Sequence, residues 1–200
     1  ISARGRDINN GPYDDFLQTD ASINRGNSGG PMFDLDGGVV GINTAIYSPS
    51  GGSIGIGFAI PSAIAKSVVR QLIETGTVRR GWLGVHIQTV TDEIAETLGL
   101  EEGKGALVAS VIKGGPAEEA KIEAGDVILD FNGREVSQMR RLPRIVADTG
   151  VGKTVDVTLW RNNEKLNVRV TVGELEPSEK EMAAVTDGPK IEEGGSEKAI

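Results

Sequence analysis

Residues 18–46 read "QTDASINRGNSGGPMFDLDGGVVGINTAI", and how this stretch folds decides the architecture of the N-terminal part of the chain. Ser28 stands between Gly26 and the pair Gly29-Gly30. Glycines on both sides let the backbone turn tightly enough to expose a serine hydroxyl. Pro31 follows, and then alternation: a strand is predicted around Met32–Leu35, a turn at Asp36-Gly37-Gly38, and a returning strand over Val39–Tyr47. Gly26 to Gly30 also satisfies G-x-S-x-G, the elbow of α/β-hydrolases. That elbow requires a strand before the serine and a helix after it. Here a hairpin follows and no βαβ repeat surrounds it, so that reading fails on context.

Beyond the hairpin, residues 54–60 form another strand. From Pro61 to Thr75 the period changes, with apolar residues at 64, 68, 69, 72 and 73 on one helical face and Gly76 just past the end. Arg79-Arg80-Gly81 marks a junction. The rest reads as a second unit: "GWLGVHIQTV" is strand-like, Thr91–Leu98 a short helix with Thr91 as N-cap, "GALVASVI" a strand, and "GGPAEEA" a turn opening a short helix. "AGDVILDFNGREV" is a strand with an Asn-Gly turn, and 138–149 is helical with Leu142, Ile145 and Val146 on one side. A final hairpin turns at Asn162-Asn163, with 155, 157 and 159 and then 166, 168, 170 and 172 facing inward. Residues 173–200 hold eight acidic residues against three lysines and no periodicity, which fits an acidic disordered linker over 174–200.

Composition narrows the function. The chain has 38% hydrophobic and 25% charged residues, with 28 glycines, which favours a turn-rich β protein. No apolar run approaches the 18–20 or so residues of a membrane span, so no stable membrane insertion is expected. A net charge of −8 argues against nucleic acid as partner. There is no cysteine, a single histidine (His86), and no acidic cluster at ligand spacing, so neither metal nor other cofactor is expected.

The tighter pattern, Asp20 followed by Gly26-Asn27-Ser28-Gly29-Gly30-Pro31 and later "GIGFAIPS", resembles the end of a trypsin-like serine protease domain of the HtrA/Do (DegP-like) family. "RRGWLGVHIQ" and "AGDVILDFNG" resemble the PDZ domain that follows it there. The implied fold is mainly β: part of the second β-barrel of a chymotrypsin/trypsin-like protease over 1–78, then an α+β PDZ domain over 79–173. Ser28 would be the nucleophile, in an oxyanion-hole loop formed by Gly26 and Asn27, the N–H donors being those of Gly26 and Ser28. Such donors are each worth roughly 3–4 kcal/mol. Six residues before the serine, where trypsin keeps an aspartate, stands Ser22. With Ile23, Thr44, Ala45, Ile46 and Tyr47 at the substrate pocket, small aliphatic side chains should be preferred. An alternative for these apolar residues is ordinary strand core.

Trypsin-like proteases order their triad His, Asp, Ser, yet no histidine precedes Ser28. Asp7, Asp14, Asp15 and Asp20 lie too near the serine to be the family's triad acid, and His86 falls in the PDZ-like strand. The expectation is that about four strands of a six-stranded barrel are present, with the histidine and aspartate outside this sequence. Residues 1–75 alone should then fold poorly and 80–172 independently. Loss of a triad histidine costs about 10⁶ in kcat in a comparable enzyme, so this chain alone should be nearly inactive.

In the second unit an extended peptide would pair beside 85–89, its C-terminal carboxylate on N–H groups of Leu83, Gly84 and Val85. Trp82, His86 and Ile87 flank that loop and strand, and Leu142, Ile145 and Val146 are the opposite wall. The alternative for Leu83, Val85 and Ile87 is simple alternation into a core. Resemblance further implies a periplasmic location, unfolded polypeptides and apolar C-terminal peptides as partners, a homo-trimer or larger assembly, and a regulatory role for the loop 1–16. A rival reading is a non-catalytic PDZ binding or chaperone module.

Overall fold

The computed structural model describes residues 1–24, 26–49 and 51–175, arranged as two units. In the first, five antiparallel strands form one open sheet: β1 (Ala3–Arg6), β2 (Phe16–Thr19), β3 (Pro31–Phe33), β4 (Val39–Ile46) and β5 (Gly57–Pro61), in the order β1-β2-β5-β4-β3. The hairpin around residue 36 is present, with its first arm ending at Phe33. Asp34 Oδ1 accepts from the N–H groups of Asp36 (3.0 Å) and Gly38 (2.7 Å), which starts the turn early and leaves Leu35 fully exposed at the tip. β1 corrects the reading of residues 1–16 as loop alone. Its sequence Ala-Arg-Gly-Arg has no alternation, and Gly5 at φ 67° breaks its register against β2.

The core of this unit is small: Phe16, Leu17, Ile23, Phe58 and Ala59, with Phe16 and Phe58 edge to face at 6.3 Å. Helix α1 (Ser62–Thr75) begins after Pro61 and ends at Gly76, whose left-handed backbone (φ 73°) lets its N–H donate to Leu72 O at 3.0 Å. The expected apolar stripe is there, but none of its residues is buried. Val69, Leu72 and Ile73 are 50%, 47% and 79% exposed.

The second unit follows: β6 (Gly81–Trp82), β7 (Val85–Thr89), α2 (Asp92–Thr97), β8 (Ala106–Val111), α3 (Pro116–Glu119), β9 (Val127–Phe131), β10 (Arg134–Glu135), α4 (Arg141–Ala147), β11 (Thr154–Arg161), β12 (Glu164–Thr171) and β13 (Gly173–Glu174). Its main sheet runs β12-β11-β9-β8-β7, with β10 against β9, and β6 pairs with β13. Thr91 caps α2 by accepting from the Ile94 N–H. Both hairpin turns have two residues at positive φ, Asn132-Gly133 and Asn162-Asn163, as type I′ geometry demands.

The core gathers Val108, Ile128, Phe131, Val157, Leu159, Val170 and the inner face of α4, all essentially inaccessible. Leu166 departs from the expected alternation. It lies on edge strand β12 close to the Asn162-Asn163 turn, opposite the buried Leu159, and is 40% exposed. Behind the sheet, buried Asp126 receives Arg161 through Nε (2.6 Å) and Nη2 (2.7 Å), and a third bond from the Glu123 N–H (2.8 Å). This pairing raises the Arg161 pKa further above its ordinary value. At the C-terminal side Glu174 is still in strand β13 and Leu175 is buried. The remainder of the expected linker, 176–200, lies outside the described residues.

Candidate functional site

Ser28 sits in the turn between β2 and β3. Gly26 (φ 96°) and Gly29 (φ 83°) take backbone conformations that side chains resist, which shapes the loop around the serine. Two antiparallel bonds staple it to β4: the Gly29 N–H donates to Asn43 O at 2.8 Å, and the Asn43 N–H to Gly30 O at 2.9 Å. The loop closes on itself through the Asn27 N–H to Asn24 O (3.1 Å) and the Gly30 N–H to Asn27 O (3.0 Å). Among the described residues, the Ser28 N–H has no backbone acceptor. The Ser28 hydroxyl is exposed and donates to the carbonyl of Thr44 at 3.1 Å. Thr44 in turn donates its own hydroxyl to Ile42 O at 3.0 Å.

The fold therefore brings Ser28, Gly26, Asn27 and Thr44 together. Ala45 and Ile46 continue β4, half-buried, and Tyr47 is 62% exposed just beyond it. Ser22 is exposed, whereas Ile23 is only 4% exposed and packs over Gly57, where an added Cβ would lie 2.9 Å from Ile23 Cδ1. Ile23 is thus part of this unit's core, although it lies in the loop after β2 rather than in a strand. His86 lies in the other sheet, exposed on β7 and opposite Ser110.

The second site is the free edge of β7. Gly84 at φ 79° breaks the run between β6 and β7. The carbonyls of Leu83 and Gly84 point inward, accepting from Ala117 (2.9 Å) and Ile112 (2.9 Å). The N–H groups of Leu83 and Gly84 take no backbone acceptor among the described residues. Trp82 packs over this loop: Cβ atoms added at Gly84, Gly115 or Gly173 would each stand 3.3 Å from its indole. Val85 and Ile87 are half-buried and share one cluster with Leu83, Leu142, Ile145 and Val146. The last four are buried at 1–4% exposure, as core rather than an open wall.

Sequence reasoning missed how the two units are joined. Loop 6–15 meets α4 and its approach: Asp15 pairs with Arg144, and Asp7 with Arg140 at 3.0 Å. The Arg80 guanidinium stacks 4.3 Å from the Tyr13 ring centre. Burial pushes the Tyr13 phenol above its ordinary pKa of 10.0, and Arg80 partly offsets this. The charged residues stand in the sequence, but nothing in a sequence pairs residues that far apart. Among the described residues no group of acidic and histidine side chains could hold a metal, and no helix is long and apolar enough to cross a membrane.

Comparison with known proteins matches residues 2–69 to the Trypsin family and 81–172 to the PDZ domain family. The chain is 56% identical over 194 residues to a probable periplasmic serine endoprotease DegP-like of Rhizobium meliloti, and 52% identical over 202 residues to one of Bartonella henselae. These alignments take in 97% and 100% of the chain but 38% and 39% of the relatives, so it spans about two fifths of their length. Among solved structures it resembles the HtrA-type protease AlgW with tripeptide (48% identity, TM-score 0.76, 88% of this chain and 59% of that one). It also resembles a serine endoprotease from Yersinia pestis (38% identity, TM-score 0.56, 80% and 52%).

Proposed function

We propose that this chain, in which a trypsin-like segment leads into a PDZ domain as in the HtrA-type and DegP-like proteins it resembles, is the nucleophile-bearing and peptide-capturing part of a periplasmic serine endopeptidase. The observation that carries the reading is the exposed Ser28 hydroxyl on a loop bent by Gly26 and Gly29 and stapled to β4. Ser28 attacks the scissile carbonyl. The N–H groups of Gly26 and Ser28, in the loop through Asn27, receive the oxyanion of the tetrahedral intermediate. Thr44, Ala45, Ile46 and Tyr47 border the bound substrate segment, over Ile23, and the uncharged surroundings suit small aliphatic residues before the cut.

A serine hydroxyl needs a base, and the triad histidine and aspartate belong to the parent protein outside these 200 residues. Substrates are unfolded polypeptides, and the parent assembles as a trimer or a larger homo-oligomer. The 200-residue chain by itself is a peptide-binding module, because the β7 edge is complete within it. Contacts of loop 6–15 with Arg140 and Arg144 support a regulatory role for that loop.

The test is fluorophosphonate labelling and casein cleavage by the parent-length protein, its Ser28→Ala variant and the 200-residue chain. Labelling and cleavage by the parent alone is the expected result. Activity surviving in parent Ser28→Ala would remove Ser28 from the mechanism, and labelling of the short chain would mean that some base within it reaches the serine.

A further inference from the structure

A cavity of about 300 Å³ lies at the far end of the β7 edge, lined by Thr89, Val90, Gly103, Gly105, Met139 and Arg140. The period of an extended strand places what would enter it. A peptide whose carboxylate rests on the Leu83 and Gly84 N–H groups puts its last residue beside Val85, the residue two earlier beside Ile87, and the residue four earlier beside Thr89. Directly opposed residues of an antiparallel pair project to the same side of the sheet. The side chain four before the terminus therefore points toward the cavity that Thr89 borders.

The chemistry of that cavity is specific. Met139 and the nearly buried Val90 bring apolar atoms to it, and the backbone of Gly103 and Gly105 forms part of its wall. One charged group lines it, the Arg140 guanidinium, 55% exposed, held by Asp7 at 3.0 Å and by Gln138 Oε1 at 3.2 Å. Of the neighbouring charges, Lys104 pairs with Glu102 and Arg141 bonds Ser137, while the Asp92 carboxylate stands beside Gly103, where an added Cβ would lie 2.9 Å from its Oδ1. On the peptide-groove reading above, we infer that this cavity is a selectivity subsite for a glutamate four residues before the peptide's C-terminus. The glutamate methylenes lie along Met139 and Val90, and its carboxylate takes Arg140 in competition with Asp7. A lysine there would meet like charge.

The experiment uses fluorescent decapeptides ending in Ala-Val-Val that differ only at that position (Glu, Gln, Lys or Leu), titrated into the 200-residue chain. The glutamate peptide is expected to bind about three- to five-fold more tightly than the glutamine one, the range of an exposed ion pair, with the gap narrowing in high salt. Arg140→Gln should erase the difference, Arg140→Lys should restore part of it, and Asp7→Asn should widen it by removing the competitor. Equal affinities, a leucine peptide binding as tightly as the glutamate one, or a preference that persists in Arg140→Gln would each overturn the subsite while leaving the groove intact. If no peptide binds, or amidated peptides bind as well as free acids, the groove reading falls and the subsite with it.

Discussion

Arg144 on α4 and Asp15 ahead of β2 form an ion pair across the two units, each about a quarter exposed. Arg144 Nε is buried with no hydrogen-bond partner, so the guanidinium depends on its carboxylate neighbours. Asp15→Asn removes one charge of a half-desolvated pair and should cost about 1–2 kcal/mol, between the values for exposed and buried pairs. The loss should appear as faster proteolysis within residues 1–20, with the melting of the second unit barely changed. Uniform melting at a lower temperature would mean that the pair stabilises both units as one.

Tyr13 supplies a pH dependence. Its folded pKa is raised above 10.0, so the folded state favours the neutral phenol. That contribution is fully present below about pH 10 and is lost as pH rises through the folded value. Tyrosinate absorbance should show one residue titrating late and disappearing from the curve in Tyr13→Phe. The variant should also lose less stability in alkali than the parent sequence.

Gly81 fits where nothing larger can. A Cβ there would meet the carbonyl oxygens of Val146 and Thr149, the latter at 2.6 Å, and the Val172 side chain at 2.8 Å. Backbone oxygens cannot rotate away, so Gly81→Ala should destabilise the second unit by about 3 kcal/mol, the upper end for overpacking. Urea unfolding followed by Trp160 fluorescence would measure it; a loss under about 0.5 kcal/mol, that of an ordinary surface substitution, would show that α4 shifts freely.

Gly84→Ala tests the carboxylate loop itself. The left-handed backbone costs a side chain about 1–2 kcal/mol, and the added methyl would press on Gly115 and Trp82. Peptide affinity should fall about tenfold, with Trp82 emission shifting as the loop relaxes. Unchanged affinity would place the carboxylate elsewhere.

Much of this was legible from local chemistry. Glycines around Ser28 announced its turn, Pro61 and Gly76 bracketed α1, Thr91 capped α2, and the spacing of Leu142, Ile145 and Val146 marked the buried side of α4. What failed depended on neighbours distant in sequence. β1 has no pattern and exists because β2 offers it a partner. Leu166 alternates correctly but lies on an edge strand beside its hairpin turn, and stays 40% exposed. The stripe of α1 reads as a core face, yet among the described residues Ile64 and Val68 are only half-buried and Val69, Leu72 and Ile73 stay exposed. The links from Asp7, Tyr13 and Asp15 to Arg140, Arg80 and Arg144 are invisible because a solvated charge looks the same in sequence whether it is paired or not.

The pairing of β6 with β13 sets Trp82 opposite Gly173 and Gly81 opposite Glu174, and Arg79 bridges Glu174 just outside. The chain thus enters and leaves the second unit at one point, through adjacent antiparallel strands. Tension applied between residues 79 and 175 would load those contacts one after another, as a zipper, rather than all at once in shear. The first thing to yield under a pull would be this seam, with the main sheet beyond it still folded.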